Sequence, residues 1–94
     1  MILIKYDLRA IRDLELIYEN IFKDKESVAK NFIDKIDDFI SLLSINPELG
    51  KDCRKKGLER DCRVLYFENY TILYKIYKTH ISIKRVLNSK QNIK

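Results

Sequence analysis

Residues 70–91 read YTILYKIYKTHISIKRVLNSKQ, and the fold turns on this stretch. Tyr70, Ile72, Tyr74 and Ile76 alternate with Thr71, Leu73, Lys75 and Tyr77, and nearly all are β-branched or aromatic. That is the two-residue period of a strand with both faces partly covered. Lys78-Thr79 interrupts the run, and the pattern resumes at Ile81, Ile83 and Arg85-Val86-Leu87. Two such runs with so short a link predict an antiparallel hairpin, with strands at 70–77 and 80–87. Everything upstream must supply either a cover for this sheet or another strand of it.

Working back, Cys62, Val64 and Tyr66 alternate with Arg63, Leu65 and Phe67, and Glu68-Asn69 supplies a turn. The strand at 62–67 therefore extends the hairpin into a meander, and Ile2–Tyr6 reads as a first strand joining the same sheet. Between them the period changes. Ile11, Leu14, Ile17, Tyr18 and Ile21 fall on one face of a helix ending near Phe22-Lys23, while Arg12, Asp13, Glu15 and Glu19 lie away from its centre. Leu16 sits off that stripe and predicts a broad buried face; Asp7 is the expected N-cap. After the charged link Lys23–Glu26, with Ser27 as the expected cap, Ala29, Phe32, Ile33, Ile36, Phe39, Ile40 and Leu43 form a continuous apolar stripe. Lys30, Asp34, Lys35, Asp37 and Asp38 are expected on its solvent side, and Pro47 stops the helix near Ile45. So short a link makes the pair an antiparallel helical hairpin, which must bury its stripes on itself or on the sheet. Glu48–Arg60 is weakly patterned, with turns at Gly50 and Gly57, and a short strand through Asp52–Lys55 is neither required nor excluded.

Ninety-four residues make a single domain, 1–94, of α+β class. The opening MILIKYDLRA has too short an apolar run for a secretory signal or a membrane span, so the expected compartment is the cytoplasm. Cys53 and Cys62 lack C-x-x-C spacing and His80 is far from them in sequence, so no metal site and two free thiols are expected. Charge is unevenly spread. Residues 1–50 carry seven Lys/Arg against ten Asp/Glu, a net of −3, whereas residues 51–94 carry twelve against four, a net of +8. A basic sheet half of this kind suggests a polyanionic partner, nucleic acid or acidic protein, or else a solvated surface.

No phosphate-binding glycine loop, nucleophile elbow or metal cluster is present. His80, at a predicted turn, and the tyrosines at 66, 70, 74 and 77 are read first as structural, with base stacking the alternative for the tyrosines. The basic residues weigh more. Arg63 and Arg85 lie in strands, Lys84 and Lys90 are near in sequence, and Lys51, Arg54, Lys55 and Lys56 come from the preceding segment. Guanidinium groups bind phosphate bidentately and stabilise charge on a transferring phosphoryl group, so metal-free RNA cleavage is conceivable on such a surface. It would need a proton donor and acceptor, and no pair is visible in the sequence. These cations also suit a purely solubilising role on an exposed sheet.

Taken in order, Ala10-x-x-Asp13-Leu14-x-x-Ile17-Tyr18, Ala29-x-x-Phe32, Ile36 to Leu43, Asn46-Pro47-x-x-Gly50, Arg63, Tyr70-x-Ile72-x-Tyr74 and Ile81-x-Ile83-x-Arg85-Val86-Leu87 resemble the RelE/ParE toxin superfamily over nearly the whole chain. The resemblance implies an N-terminal strand and an antiparallel helical hairpin packed on a twisted antiparallel sheet. It also implies a toxin of a type II toxin–antitoxin system, neutralised by a cognate antitoxin that covers the basic, partly apolar sheet surface. RelE-like members cleave mRNA on the ribosome; ParE-like members poison DNA gyrase and are not nucleases. The long hairpin and the N-P-x-x-G turn look more like the ParE branch. Asn88 stands where many members carry His, Thr71 where many carry Arg, and residues 88–94 hold no tyrosine. The implied reading is a cofactor-free gyrase-binding toxin, with Lys51, Arg54, Lys55, Lys56, Lys84, Asn88 and Lys90 as target- or nucleic-acid-binding residues. One alternative is a ribosome-dependent mRNA endonuclease using Arg63 and Arg85; another is a degenerate, non-toxic binding module.

Overall fold

The computed structural model describes residues 1–56 and 62–89; Gly57, expected at a turn, lies outside them. In chain order the elements are β1 (Leu3–Tyr6), α1 (Leu8–Phe22) and α2 (Glu26–Ser41), which tightens into a 3-10 turn at Leu42–Ser44. Then come β2 (Lys51–Asp52), a 3-10 turn at Cys53–Lys56, β3 (Arg63–Phe67), β4 (Tyr70–Ile76) and β5 (His80–Asn88). The sheet order is β1-β5-β4-β3-β2. The meander β3–β4–β5 forms as its alternation predicts, and β2 adds antiparallel to β3. One pair departs from the antiparallel expectation: β1 runs parallel to β5. The register of Leu3 to Tyr6 on His80 to Ile83 fixes that direction.

The helices cover one face only. Ala10 and Ile17 of α1 and Ile36 and Ile40 of α2, with Leu43 just beyond it, pack on Leu65, Ile72, Tyr74, Ile81, Ile83 and Val86. Phe32 and Phe39 close the far end against Phe67 and Tyr70. On the opposite face a small cluster of Cys53, Val64 and Leu73 is flanked by Cys62 and Leu87. Adjacent strand residues point to opposite faces, which is why Val64 and Leu65, or Ile72 and Leu73, serve different clusters. Leu16 is 53% exposed, so the buried face of α1 is narrow, not broad. No helix among the described residues is long and apolar enough to cross a membrane.

Two expected caps are not made. Asp7 precedes α1, but its side chain caps no helical N–H. Its carboxylate instead accepts the Ser82 hydroxyl at 2.6 Å and pairs with Lys84 at 3.3 Å, stronger partners than one solvent-facing amide. Ser27 lies inside α2, which starts one residue earlier, after the extended Lys25. Asp37, though exposed, also has a partner: it accepts the Tyr6 hydroxyl at 2.7 Å and ties β1 to α2.

The cysteines are not free thiols. Cys53 and Cys62 form a disulfide, with Cα atoms 5.3 Å apart. The register explains it: Lys51 faces Val64, Asp52 faces Arg63, and the Cys53 N–H donates to the Cys62 carbonyl at 2.9 Å as the next rung of the ladder. Sequence spacing alone does not contain that register. Replacing both cysteines by Ser is expected to lower unfolding free energy by about 2–3 kcal/mol for so short a closed loop. A urea denaturation comparison under oxidising conditions reads this directly.

The weakly patterned crossover from helices to sheet is held by one hydroxyl. Tyr74, fully buried on the central strand, donates to the Pro47 carbonyl at 2.7 Å and accepts from the Gly50 N–H at 2.9 Å. A Cβ at Gly50 would stand 2.8 Å from the Tyr74 ring and from the Val64 carbonyl, so the glycine is required by close approach. The Gly50 carbonyl then accepts from Arg63 Nη1 at 2.7 Å. Burial pushes the Tyr74 phenol above its ordinary pKa, partly offset by the Gly50 N–H, so it stays protonated and able to donate. Tyr74→Phe leaves the Gly50 amide without this partner and is expected to cost about 1–3 kcal/mol in urea denaturation. Unchanged stability would show that the crossover is held otherwise.

Candidate target-binding face

The face of the sheet without helices carries Lys51, Lys75, Lys84 and Arg85. Its geometry follows from register. Lys51 of β2, Val64 of β3, Leu73 of β4 and Arg85 of β5 lie opposite one another in a single row. Three strand spacings make that row roughly 14 Å long, apolar in the middle and cationic at both ends.

Arg85 reaches this face because of a bulge. Leu73 pairs with Arg85 but Tyr74 pairs with Ile83, so Lys84 is an extra residue on β5. Strict alternation would place residue 85 with Ile83, facing the helices. With the bulge, Ile83 and Val86 both enter the helix-side core, and Lys84 and Arg85 are left together on the other side. Both line a hollow of about 270 Å³ with Asp7, Arg9, Cys62, Leu73 and Lys75.

These cations are held by named partners. Arg85 donates to Asp13 from Nε at 2.8 Å and Nη2 at 3.0 Å, a fork that raises its already high pKa. Asp13 Oδ2 also accepts the Val86 N–H at 2.9 Å. β1 ends at Tyr6, opposite Ile83, so beyond that point Asp13 takes over as hydrogen-bond partner along the edge of β5. Lys84 donates to the Tyr77 hydroxyl at 2.9 Å and pairs with Asp7. Those contacts, led by Tyr77, raise its pKa. The Ser82 hydroxyl, followed by Lys84, holds the Asp7 carboxyl below the ordinary aspartate range.

The other expected site residues are dispersed. Arg63 faces Tyr74, and hence the helix side, where it bonds the Gly50 carbonyl and lies 3.5 Å from Glu48. Arg63 and Arg85 therefore occupy opposite faces. Asn88 faces Tyr70 on the helix side and lines a hollow with Asp13, Leu16, Ile17, Asn20 and Arg85, so of the expected residues it is Arg85 and Asn88 that come together. Arg54 is exposed after β2; its backbone N–H donates to Asp52, which also lies 3.6 Å from its guanidinium. Lys90 lies outside the described residues, as do the side chains of Lys55 and Lys56. Sequence reasoning missed Arg9, Asp13 and Lys75, whose positions depend on strand register and on where β1 stops. A separate hollow of about 560 Å³ between the helices, lined by Ile11, Leu14, Tyr18 and Ile33, is rimmed by Glu15, Glu19 and Asp37 and is of opposite charge character.

The architecture is that of a small α+β protein with a helical hairpin on one side of its sheet and a basic face on the other. The family model described as "ParE toxin of type II toxin-antitoxin system, parDE" matches residues 4–93, and the chain belongs to that family. Among solved structures, the chain is similar to one from P. aeruginosa described as a chromosomal ParDE TA system. The TM-score is 0.77 at 20% identity, covering 94% of this chain and 96% of that one, a likeness of fold. Comparison with curated proteins finds no match.

The Asp7 pairing has a pH signature. A carboxyl whose folded pKa is depressed stabilises fully above its unfolded value, about 3.9, and that contribution is lost as pH falls through the lower folded value. The stability difference between wild type and Asp7→Asn is therefore expected to be constant from pH 7 to about 5 and to shrink below about 4. Urea midpoints measured across that range check this.

Proposed function

We propose that this member of the ParE toxin family acts in the cytoplasm by binding DNA gyrase and stalling it, through surface contact and not through chemistry of its own. The observation that carries the reading is the separation of Arg63 from Arg85. A single scissile phosphate cannot be clamped by two arginines on opposite faces of a sheet, each already engaged with a neighbour. Asn88, which lines a hollow with Arg85, can serve as neither general acid nor general base. On the other face, Lys51 and Arg85 stand at the two ends of a row whose middle, Val64 and Leu73, is buried beside the Cys53–Cys62 disulfide, so what that face offers a partner is positive charge. A cognate antitoxin would cover the same face with a segment combining apolar and acidic residues, pairing with the basic half of the chain.

Purified protein in excess is expected to inhibit gyrase supercoiling and to leave mRNA intact in a reconstituted translation reaction. Charge reversal by Lys51→Glu with Arg54→Glu is expected to weaken inhibition at least about tenfold, with an unchanged circular dichroism spectrum. Supercoiling left untouched, or mRNA ends appearing only when ribosomes are present, would overturn this proposal.

A further inference from the structure

The Cys53–Cys62 disulfide joins two residues in unequal surroundings. Cys53 is fully buried, packed with Val64 and Leu73. Cys62 is only half-buried, and it lines the hollow of about 270 Å³ on the outer face of the sheet. The bond therefore has one end that a small molecule reaches from solution and one that it does not.

The contacts that set the two cysteines opposite each other do not involve sulfur. The Cys53 N–H donates to the Cys62 carbonyl at 2.9 Å, and the pairs Lys51–Val64 and Asp52–Arg63 stand just before it in the ladder. Beyond Cys53, the Arg54 N–H donates to the Asp52 carboxylate at 2.9 Å and fixes the turn. Opening the S–S bond thus leaves two thiols held side by side by the backbone.

From this asymmetry we infer that Cys62 is a thiol-exchange site, where a low-molecular-weight thiol opens the disulfide and is carried as a mixed disulfide. The incoming thiolate attacks Cys62 Sγ from the hollow and forms a new S–S bond there. The Cys53–Cys62 bond breaks, and its electron pair leaves on Cys53 Sγ, which takes up a proton. Access sets this direction, because attack on Cys53 would need room inside the packed cluster of Val64 and Leu73. Apolar surroundings disfavour the Cys53 thiolate, so opening is slow. The ladder keeps Cys53 within reach of Cys62, and its thiol reverses the step by expelling the small thiol. A second equivalent of thiol completes the reduction, giving two protein thiols and one small-molecule disulfide. A cytoplasm supplies such thiols, and the inference rests on the functional reading above only for where the chain meets them.

The test is incubation of the full, oxidised chain with reduced glutathione without denaturant, trapping of released thiols with N-ethylmaleimide, and peptide mapping by mass spectrometry. Trypsin cuts after Arg54, Lys55 and Lys56, so the two cysteines fall on separate peptides. Glutathione on Cys62 with maleimide on Cys53 is expected in at least about tenfold excess over the reverse arrangement, since access differs between the two sulfurs. Cys53→Ala, with an unchanged circular dichroism spectrum, removes the thiol that reverses the step and should retain glutathione on Cys62 after treatment with oxidised glutathione. Cys62→Ala should react with oxidised glutathione at least about tenfold more slowly, its remaining thiol being the buried one. Equal labelling of the two cysteines, or a preference for Cys53, would overturn the inference. Opening seen only at urea concentrations that unfold the chain would overturn it as well, because exchange would then belong to the unfolded state. Where a variant does not fold, the labelling pattern of the wild type decides alone. Gyrase and mRNA are absent from this measurement, so its outcome and that of the supercoiling assay are independent.

Discussion

One hydroxyl in the middle of the molecule decides where the second half of the chain goes. Tyr74 sits on the central strand, and its side chain, fully buried, ends between the Pro47 carbonyl and the Gly50 amide. A crossover lacking secondary structure has backbone groups that must find partners, and a buried phenol that both donates and accepts satisfies two of them at once. With Gly50 pressed against the Tyr74 ring, its carbonyl is set to receive Arg63, and β2 is delivered to the edge of β3. The Cys53–Cys62 disulfide is the next rung of the ladder so started. The position of Lys51 on the outer face follows from the same register.

The basic face is a consequence of a defect in alternation. A regular β5 would place one of Lys84 and Arg85 on each side of the sheet, and the inward one would have to be buried or expelled. Burying an unpaired charge against Ile72, Ile81 and Ile83 would cost far more than one irregular rung. The bulge leaves both cations on the solvent side and keeps Ile83 and Val86 in the core. Asp13 then reaches past the end of β1 to hold Arg85 and to bond the Val86 amide that β1 is too short to meet. The carboxylate thus serves the strand edge and the arginine together, which makes it less a surface charge than part of the sheet.

The two faces divide the labour of the molecule. Helices and aromatic rings close one side, and stability resides there. The other side has a small buried cluster beside a disulfide, with Lys51, Lys75, Lys84 and Arg85 around it. The acidic rim of the groove between the helices points to a different class of neighbour from the basic face. A partner that recognises both would have to carry charges of opposite sign at its two ends.

Much of this was legible in the sequence, and the reasons are local. The alternation from Tyr70 to Ile76 and from Ile81 onward specifies strands because side-chain direction has a period of two, and the stripe from Ala29 to Leu43 specifies a helix because its period is near 3.6. The family resemblance adds the order in which these pieces occur. Register is not local. Whether Arg85 faces the helices or solvent depends on one extra residue in β5, and whether Cys53 meets Cys62 depends on which residue of β3 faces Lys51. The exchange of an N-cap role for a Ser82–Lys84 role at Asp7 depends on a strand that lies 75 residues away in the chain. Sequence by itself determined the elements and the sign of the charge; tertiary structure alone decided which side chains share a face. Pairing partners are chosen by packing across the whole chain, and one residue of slip moves every side chain to the other side.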